Sequence, residues 1–448
     1  MTEPLTAVDP AAFLAELASA VPVVLDPHVL MAYQRDQAAL AEAGTPLALV
    51  RARSVDDVAA TLRTASAHGV PVVTRGAGTG LAGGANAIDG CVVLSTAAMD
   101  GIISIDKVAR TATVQCGVLN GTLSAAAADQ GLWYAPDPAS KAVSTIGGNI
   151  ATNAGGGCCL RYGVTGDHVL ALTAVLASGE VLRTGTATRK NVAGLDLTRL
   201  LVGSEGTLAV IVEAVLRLRV PPPPQATLVA FFDSLRKAGD AVVAIEQAGT
   251  PSLLELMDRT TIAAVEEHTR MGLDLTAGAL LIVQDESLDA YADACRGAGF
   301  VAQTDDPEEG EQFLAARRLA LPALERKGLT LLDDVAVPPP LIADMMDRVQ
   351  AIADRYGLVI GTFGHAGDGN LHPTIVFDRE AADTARAAFD EILAAALSLG
   401  GTITGEHGIG SLKTPHLADM LGPTERALMA RIKAAFDPGN ILNPGRAL

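Results

Sequence analysis

Apolar runs broken by glycine and proline divide the chain into two stretches with different rhythms. In the first, residues 1–40 read as helices with an irregular join. Ser54-x-x-Asp57 is a capping box opening a helix to about His68, where Gly69 stops it. Val70-Pro71-Val72-Val73 then reads as a short buried strand. Strand-like runs recur at 91–96, 102–105, 111–116, 169–177, 180–184 and 208–218, with a helix near 118–130 and a Ser178-Gly179 turn. Two stretches without a period read as loop: 74–90, which carries six glycines, and 136–166, rich in Gly, Asn, Pro and Ser.

Pro221-Pro222-Pro223-Pro224 continues neither helix nor strand and makes a stiff spacer, so it marks a domain boundary. Beyond it, strands at 226–232, 252–257 and 279–284 alternate with helices at 234–248, 260–271 and 287–298, the pattern of an α/β layer. A helix at 308–327, a strand at 329–337, a helix at 341–356, a hairpin at 358–377 and a helix at 380–399 follow.

Composition narrows the function classes. The 448 residues suffice for two to four domains, and 49% apolar with 19% charged residues excludes a mostly disordered chain. Aromatic residues at 3% exclude a binder built on base stacking. A net charge of −18 opposes a nucleic-acid backbone and an anionic membrane surface, so a small anionic substrate would need local cations to draw it in. The five cysteines, odd in number and without a Cys-x-x-Cys pair, read as reduced thiols of a cytoplasmic protein. Met1-Thr2-Glu3-Pro4 lacks the basic start of a signal peptide, and no apolar run reaches the ~18 residues of a membrane span.

The glycine loops carry the first chemistry. Gly78-x-Gly80-x-x-Gly83 fits a dinucleotide fingerprint. Residues 84–90 hold two more glycines and no helical period, however, so the helix N-terminus of a nicotinamide-binding Rossmann loop is missing. A phosphate cradle of another kind, made of closely approaching backbone N–H groups, is preferred to that reading and to a plain flexible loop. The stretch from Ile146 to Gly157 and the loop Gly203-Ser204-Glu205-Gly206-Thr207 have the same character. Three such segments in one region suggest an extended, phosphate-bearing ligand.

The second chemistry lies in His365-Ala366-Gly367-Asp368-Gly369-Asn370-Leu371-His372. With Asp368-Gly369 as a two-residue hairpin turn, His365 faces His372 at a separation that suits two imidazoles on one metal ion. Thr404-Gly405-Glu406-His407-Gly408 adds a carboxylate, and two histidines with one carboxylate are a common divalent-ion set. His407 is left over as a general base. The bland alternatives are a buried, hydrogen-bonded histidine pair and a surface turn. Arg317 and Arg318 are the local cations, and one of them could grip a substrate carboxylate bidentately.

With these motifs in order, the chain resembles the FAD-linked oxidases of the vanillyl-alcohol oxidase superfamily. It looks most like the branch of the glycolate oxidase catalytic subunit, D-lactate dehydrogenase and D-2-hydroxyglutarate dehydrogenase. The resemblance rests on Arg75 to Leu81, Gly147-Gly148-Asn149 with Asn153 to Gly156, Gly203 to Leu208, His365 to His372, Gly405 to Gly408, and Asn443-Pro444-Gly445. It implies an α+β protein: a two-part FAD-binding domain over 1–220, a ferredoxin-like α/β substrate cap over 225–415 with the metal site, and a tail over 416–448 returning to the FAD domain. It places FAD against Arg75, Gly76, Ala77, Gly78, Thr79, Gly80 and Leu81, then Pro136, Asp137, Ser144, Gly147, Gly148, Asn149, Thr152, Asn153 and Gly155, then Glu205, Gly206, Ile211 and Asn443. It makes His365, His372 and Glu406 the ligands of a divalent metal, zinc first with manganese or iron as alternatives. It makes His407 the catalytic base and Arg317 the substrate-carboxylate arginine.

Two departures from that pattern refine the expectation. Gly78-Thr79-Gly80 stands where covalent members carry a histidine, so FAD is expected to be non-covalent. Leu331-Leu332-Asp333-Asp334 lacks the lysine of diacid-oxidising relatives, which favours a D-lactate- or glycolate-type monoacid over D-2-hydroxyglutarate. The expected reaction is oxidation of a D-2-hydroxy acid to the 2-oxo acid, passing electrons to an acceptor the sequence does not name. A homodimer is left open. A metal-dependent hydrolase, the rival enzyme class, leaves the glycine loops unexplained.

Overall fold

The computed structural model describes residues 9–188 and 190–447, so the first eight residues of the expected N-terminal helical stretch lie outside the described residues. Contacts divide the chain into two compact units. One comprises Met1–Ala154, Val164–Pro221 and Glu406–Leu448; the other comprises Gly155–Gly163 and Pro222–Gly405. The main boundary falls inside the proline run.

The first unit holds two sheets. Strands β1 (Val23–Val24), β2 (Ala48–Arg51), β3 (Val72–Arg75) and β4 (Val92–Ser95) stand in the order β1-β2-β4-β3, with β2, β4 and β3 mutually parallel. Strands β5 (Ile102–Asp106), β6 (Thr111–Gln115), β7 (Val169–Val175), β8 (Val181–Gly185) and β9 (Val210–Arg217) form an antiparallel sheet in the order β5-β6-β9-β7-β8. The helix Val55–His68 begins where the Ser54 hydroxyl accepts from Asp57 N at 3.1 Å and ends at Gly69, whose φ of +64° an L side chain resists. Its Val58, Leu62 and Ala65 are buried with Val50, Val72, Val92 and Leu94 in one core cluster. Residues 440–443 run back alongside β3: Val72 N donates to Ile441 O and Asn443 N to Val72 O.

The second unit is an eight-stranded antiparallel sheet with helices. It contains β10 (Ala226–Phe232), β11 (Leu253–Asp258), β12 (Ala279–Asp285), β13 (Phe300–Thr304), β14 (Leu329–Leu332), β15 (Val335–Ala336), β16 (Val359–His365) and β17 (Asn370–Phe377). The order is β13-β10-β12-β11-β16-β17-β14, with β15 also pairing β17. The helices Leu235–Ala248 and Ile342–Tyr356 approach closely because Gly239 has no side chain; a Cβ there would stand 2.8 Å from the Ala343 Cβ. Arg161 secures the short segment 155–163 to this unit, its two terminal nitrogens each 2.6 Å from an Asp285 carboxylate oxygen.

Four local expectations are corrected. The stretch 136–166 is not all loop: Ile146–Thr152 is a helix, capped by Thr145, with Ile146 and Ile150 buried. The expected helix 308–327 is two, Pro307–Arg318 and Ala320–Glu325, because Pro322 cannot donate back to the preceding turn and fits only a helix's first turn. Edge strand β13 was not expected; its Phe300 and Val301 are exposed, so its pattern carries no buried face. The hairpin register also differs. Phe363 faces His372 and His365 faces Asn370, because residues 366–369 form the connection, with a 3-10 turn over Ala366–Asp368. Neighbours impose that shape: Val337 N donates to Gly369 O, and a Cβ on Gly367 would lie 2.3 Å from a Leu160 methyl.

Candidate active site

In the first unit the expected FAD segments converge on β3. Arg75 ends that strand, is 7% exposed, and has burial pulling its guanidinium below its ordinary value against the opposing charge of Asp36. Gly78 turns beneath it with φ of +75°, and a Cβ there would sit 2.0 Å from an Arg75 terminal nitrogen. Ala77 is exposed, while Thr79, Gly80 and Leu81 are half-buried. Gly80 O accepts from Gln37 N at 2.9 Å and Asn86 Oδ1 from Asp36 N at 2.6 Å, so the loop is folded onto residues 34–42. No helix follows Gly83 before β4, in keeping with the rejection of a Rossmann turn.

The second glycine segment is partly structural. A Cβ on Gly147 would stand 2.7 Å from the Cys116 Cβ, so this glycine serves packing. Thr152 spends its hydroxyl on Gly148 O, and Asn153, with φ of +52°, accepts from Gly166 N. Pro136 O accepts from Asn120 Nδ2, Ile211 lies in the β9 core, and Gly155 belongs to the second unit. Gly206, with φ of +71°, has Thr74 and the Asn443 amide as its nearest neighbours.

Glu205 does more than was expected of a cofactor contact. Its buried carboxylate accepts from Ile409 N and Gly410 N, each at 2.7 Å, and so holds the turn that carries Glu406 and His407. These bonds give residues 406–415 to the first unit, ahead of the expected return at 416. Burial raises the Glu205 carboxyl above its usual range, opposed by those two amides and by Arg446. Arg446 in turn donates to Gly83 O and Asn86 O. Asn443 donates to Gly84 O at 3.0 Å and Glu205 O at 2.7 Å.

Among the described residues of this unit, the buried atoms Thr74 Oγ1, Arg75 Nη1, Tyr134 OH, Ser144 Oγ, Asn149 Nδ2 and Asn443 Oδ1 have no hydrogen-bond partner in the protein. At about 1–3 kcal/mol each, such orphans would together cost as much as a domain's whole stability. They fit a bound group with many oxygens and ring nitrogens, which is what FAD offers.

In the second unit, β11, β16 and β17 bring the other candidates to one sheet face. His365 pairs across the strands with both Glu255 and Asn370. His372 lies two residues beyond Asn370, so both imidazoles share the face despite the shifted register, with ring centroids 5.4 Å apart and nearly perpendicular. Glu255, which sequence reasoning missed, is buried between a histidine and an arginine: its Oε1 is 2.5 Å from His365 Nδ1 and its Oε2 is 2.5 Å from Arg317 Nε. Burial alone would raise its carboxyl, but Arg317 and His365 hold it below the ordinary range. The Arg317 guanidinium lies 4.6 Å from the Phe363 ring centre, whereas Arg318 is exposed and pairs with Glu311. Asp334, also missed, is fully buried. Its Oδ2 accepts from Thr404 Oγ1 at 2.7 Å and Gly405 N at 2.9 Å, and its Oδ1 is 3.7 Å from His372 Nδ1. Glu406 and His407 are the next two residues of the chain; His407 Nε2 lies 3.8 Å from Glu406 Oε1. Glu255 and Asp334 have no motif of their own, and only strand pairing exposes their roles.

One unit thus gathers glycine segments and unpartnered buried polar atoms, and the other a largely buried set of histidines, carboxylates and an arginine. Residues 46–185 match the model of an FAD binding domain, and 221–447 that of the C-terminal domain of FAD linked oxidases. The chain belongs to the FAD-linked oxidase family and is an FAD-linked oxidoreductase. It is 42% identical over 418 residues to the glycolate oxidase subunit GlcD of Bacillus subtilis (strain 168), covering 90% of this chain and 88% of that one. It is 36% identical over 411 residues to a D-lactate dehydrogenase of Archaeoglobus fulgidus, covering 89% and 91%. In fold it is similar to p-cresol methylhydroxylase with substrate bound, at a TM-score of 0.82 and 18% identity over 100% of this chain and 98% of the other.

Proposed function

We propose that the protein oxidises the CH–OH group of a D-2-hydroxy acid, of D-lactate or glycolate type, to the 2-oxo acid. The observation that carries this reading is Arg317 paired with Glu255 on the sheet face that carries two imidazoles, His365 and His372, in a chain of this family. Arg317 binds the substrate carboxylate through its terminal nitrogens, its Nε being engaged by Glu255. His365, His372 and Glu406 are the residues that would hold a divalent cation, zinc first. Two imidazoles and one carboxylate are a donor set that suits such an ion. When bound, FAD, held without a covalent link, supplies the hydride acceptor, and the cation supplies Lewis acidity at the substrate hydroxyl. His407 takes the hydroxyl proton at its imidazole as the Cα hydrogen leaves as hydride. Leu331-Leu332-Asp333-Asp334 lacks the lysine of diacid-oxidising relatives, which favours a monoacid.

The relatives named glycolate oxidase and D-lactate dehydrogenase support this substrate class. A cytoplasmic location is the reading that the five cysteines favour, odd in number and without a Cys-x-x-Cys pair. The substrate is tested in a dye-coupled screen of D- and L-2-hydroxy acids with and without chelator, repeated on His407→Asn. The expected result is turnover of a D-acid that falls at least 100-fold in the variant at unchanged flavin and metal content. Parental turnover in such a variant would remove His407 as the base, and no turnover of any hydroxy acid by the yellow parent would remove the substrate class.

A further inference from the structure

Glu255 is buried, lies on a strand between the arginine and a histidine, and is reached by both. A carboxylate can only accept hydrogen bonds. Its contact with His365 Nδ1 at 2.5 Å therefore puts a proton on Nδ1, and in the neutral imidazole the lone pair is then on Nε2. The second oxygen, 2.5 Å from Arg317 Nε, takes the one guanidinium nitrogen that is not at the fork's outer edge. That ion pair engages Nε rather than the terminal nitrogens, and the Phe363 ring lies 4.6 Å from the guanidinium carbon.

We propose that Glu255 is the positioning residue of this site, setting the His365 tautomer for metal ligation and aiming Arg317 at the substrate carboxylate. The inference rests on the metal and substrate reading above. One side chain thereby joins the anion grip to the metal grip. A neutral amide cannot do both: Gln at 255 offers one acceptor oxygen, and its NH₂ meets either the Arg317 or the His365 N–H.

The test is Glu255→Gln, with Glu255→Asp as the conservative variant that keeps the charge at a shorter reach. In the chelator-treated wild type, ¹⁵N-histidine NMR at pH 8 is expected to show His365 protonated at Nδ1 and bare at Nε2; a proton on Nε2 would overturn the proposal without reference to any metal. In Glu255→Gln, Zn²⁺ affinity measured by competition with a chromophoric chelator is expected to fall 10–100-fold and the hydroxy-acid KM to rise, while flavin absorbance is kept. Glu255→Asp is expected to recover part of both. Wild-type Zn²⁺ affinity and KM in Glu255→Gln would refute the role of Glu255. A wild type that binds neither Zn²⁺ nor Mn²⁺ would refute the metal reading instead, and the tautomer measurement would still decide this one.

Discussion

Asp258 offers a stability prediction that can be worked through from its surroundings. It ends β11, 7% exposed, and caps the helix Arg259–Thr269: its Oδ1 accepts from Thr261 N at 2.7 Å and its Oδ2 from Thr362 N of β16 at 2.9 Å. Burial outweighs these bonds and raises the carboxyl from 3.8 to about 6. The folded chain therefore binds a proton between those values that the unfolded chain has released, so this group's contribution to stability falls as pH rises through that window. At 1.36 kcal/mol per pKa unit the loss is about 3 kcal/mol, complete above pH 7.

Asp258→Asn removes the titration and keeps the shape. Its oxygen still caps Thr261, but its NH₂ faces the Thr362 N–H, which costs about 1–3 kcal/mol for the orphaned donor. Near pH 4, where Asp258 is neutral, the variant is expected to be less stable by that amount. Near pH 8 the relieved desolvation of about 3 kcal/mol offsets the loss, and the variant is expected to equal or exceed the parent. Urea melts of both proteins from pH 4 to 8 measure the difference, in which every other titrating group cancels. The midpoint difference should swing by about 1 M, for a slope of roughly 3 kcal/mol/M, and in the variant's favour as pH rises. A difference that stays constant across this range would refute the reasoning.

Two further perturbations probe the flavin segments. Gly78→Ala forces a Cβ into the Arg75 guanidinium at positive φ, costing at least about 1–2 kcal/mol, and should yield protein with substoichiometric flavin by absorbance after gel filtration; full flavin content would show that the loop tolerates the shift. Asn443→Ala strips donors from Gly84 O and Glu205 O, and should lower the melting temperature by about 2–8 °C and speed flavin loss on dilution, whereas an unchanged melting curve would deny the tail its fastening role.

Local signals in the sequence were those with local causes. The Ser54 cap, the Gly69 stop and the proline spacer act through neighbouring backbone, and each stands where the pattern placed it. The glycines were harder to read, because one residue type answers several needs. Gly78 yields to the Arg75 guanidinium, but Gly147 yields to Cys116, and the segment that holds it is a helix. A motif of glycines therefore locates close approach without naming what approaches.

The histidine hairpin shows why a wrong register could still leave two imidazoles on one face. Side chains alternate with a period of two along a strand, so shifting the partner of His365 from His372 to Asn370, two residues along, keeps both imidazoles on one face. A slip by one residue would have parted them. What no spacing rule could supply is the partner of each imidazole. Glu255 lies 110 residues from His365 along the chain, and Asp334 lies 70 or more from Thr404 and Gly405. Glu255 comes from β11 and Asp334 from the two residues between β14 and β15, where apolar neighbours mark only burial, and an acid in such a run reads as an exception until a distant segment supplies its donors. In a buried sheet that exception is itself informative. An acid at such a position is tolerated only when donors meet it, so Glu255 and Asp334 mark where the fold directs hydrogen bonding onto the site.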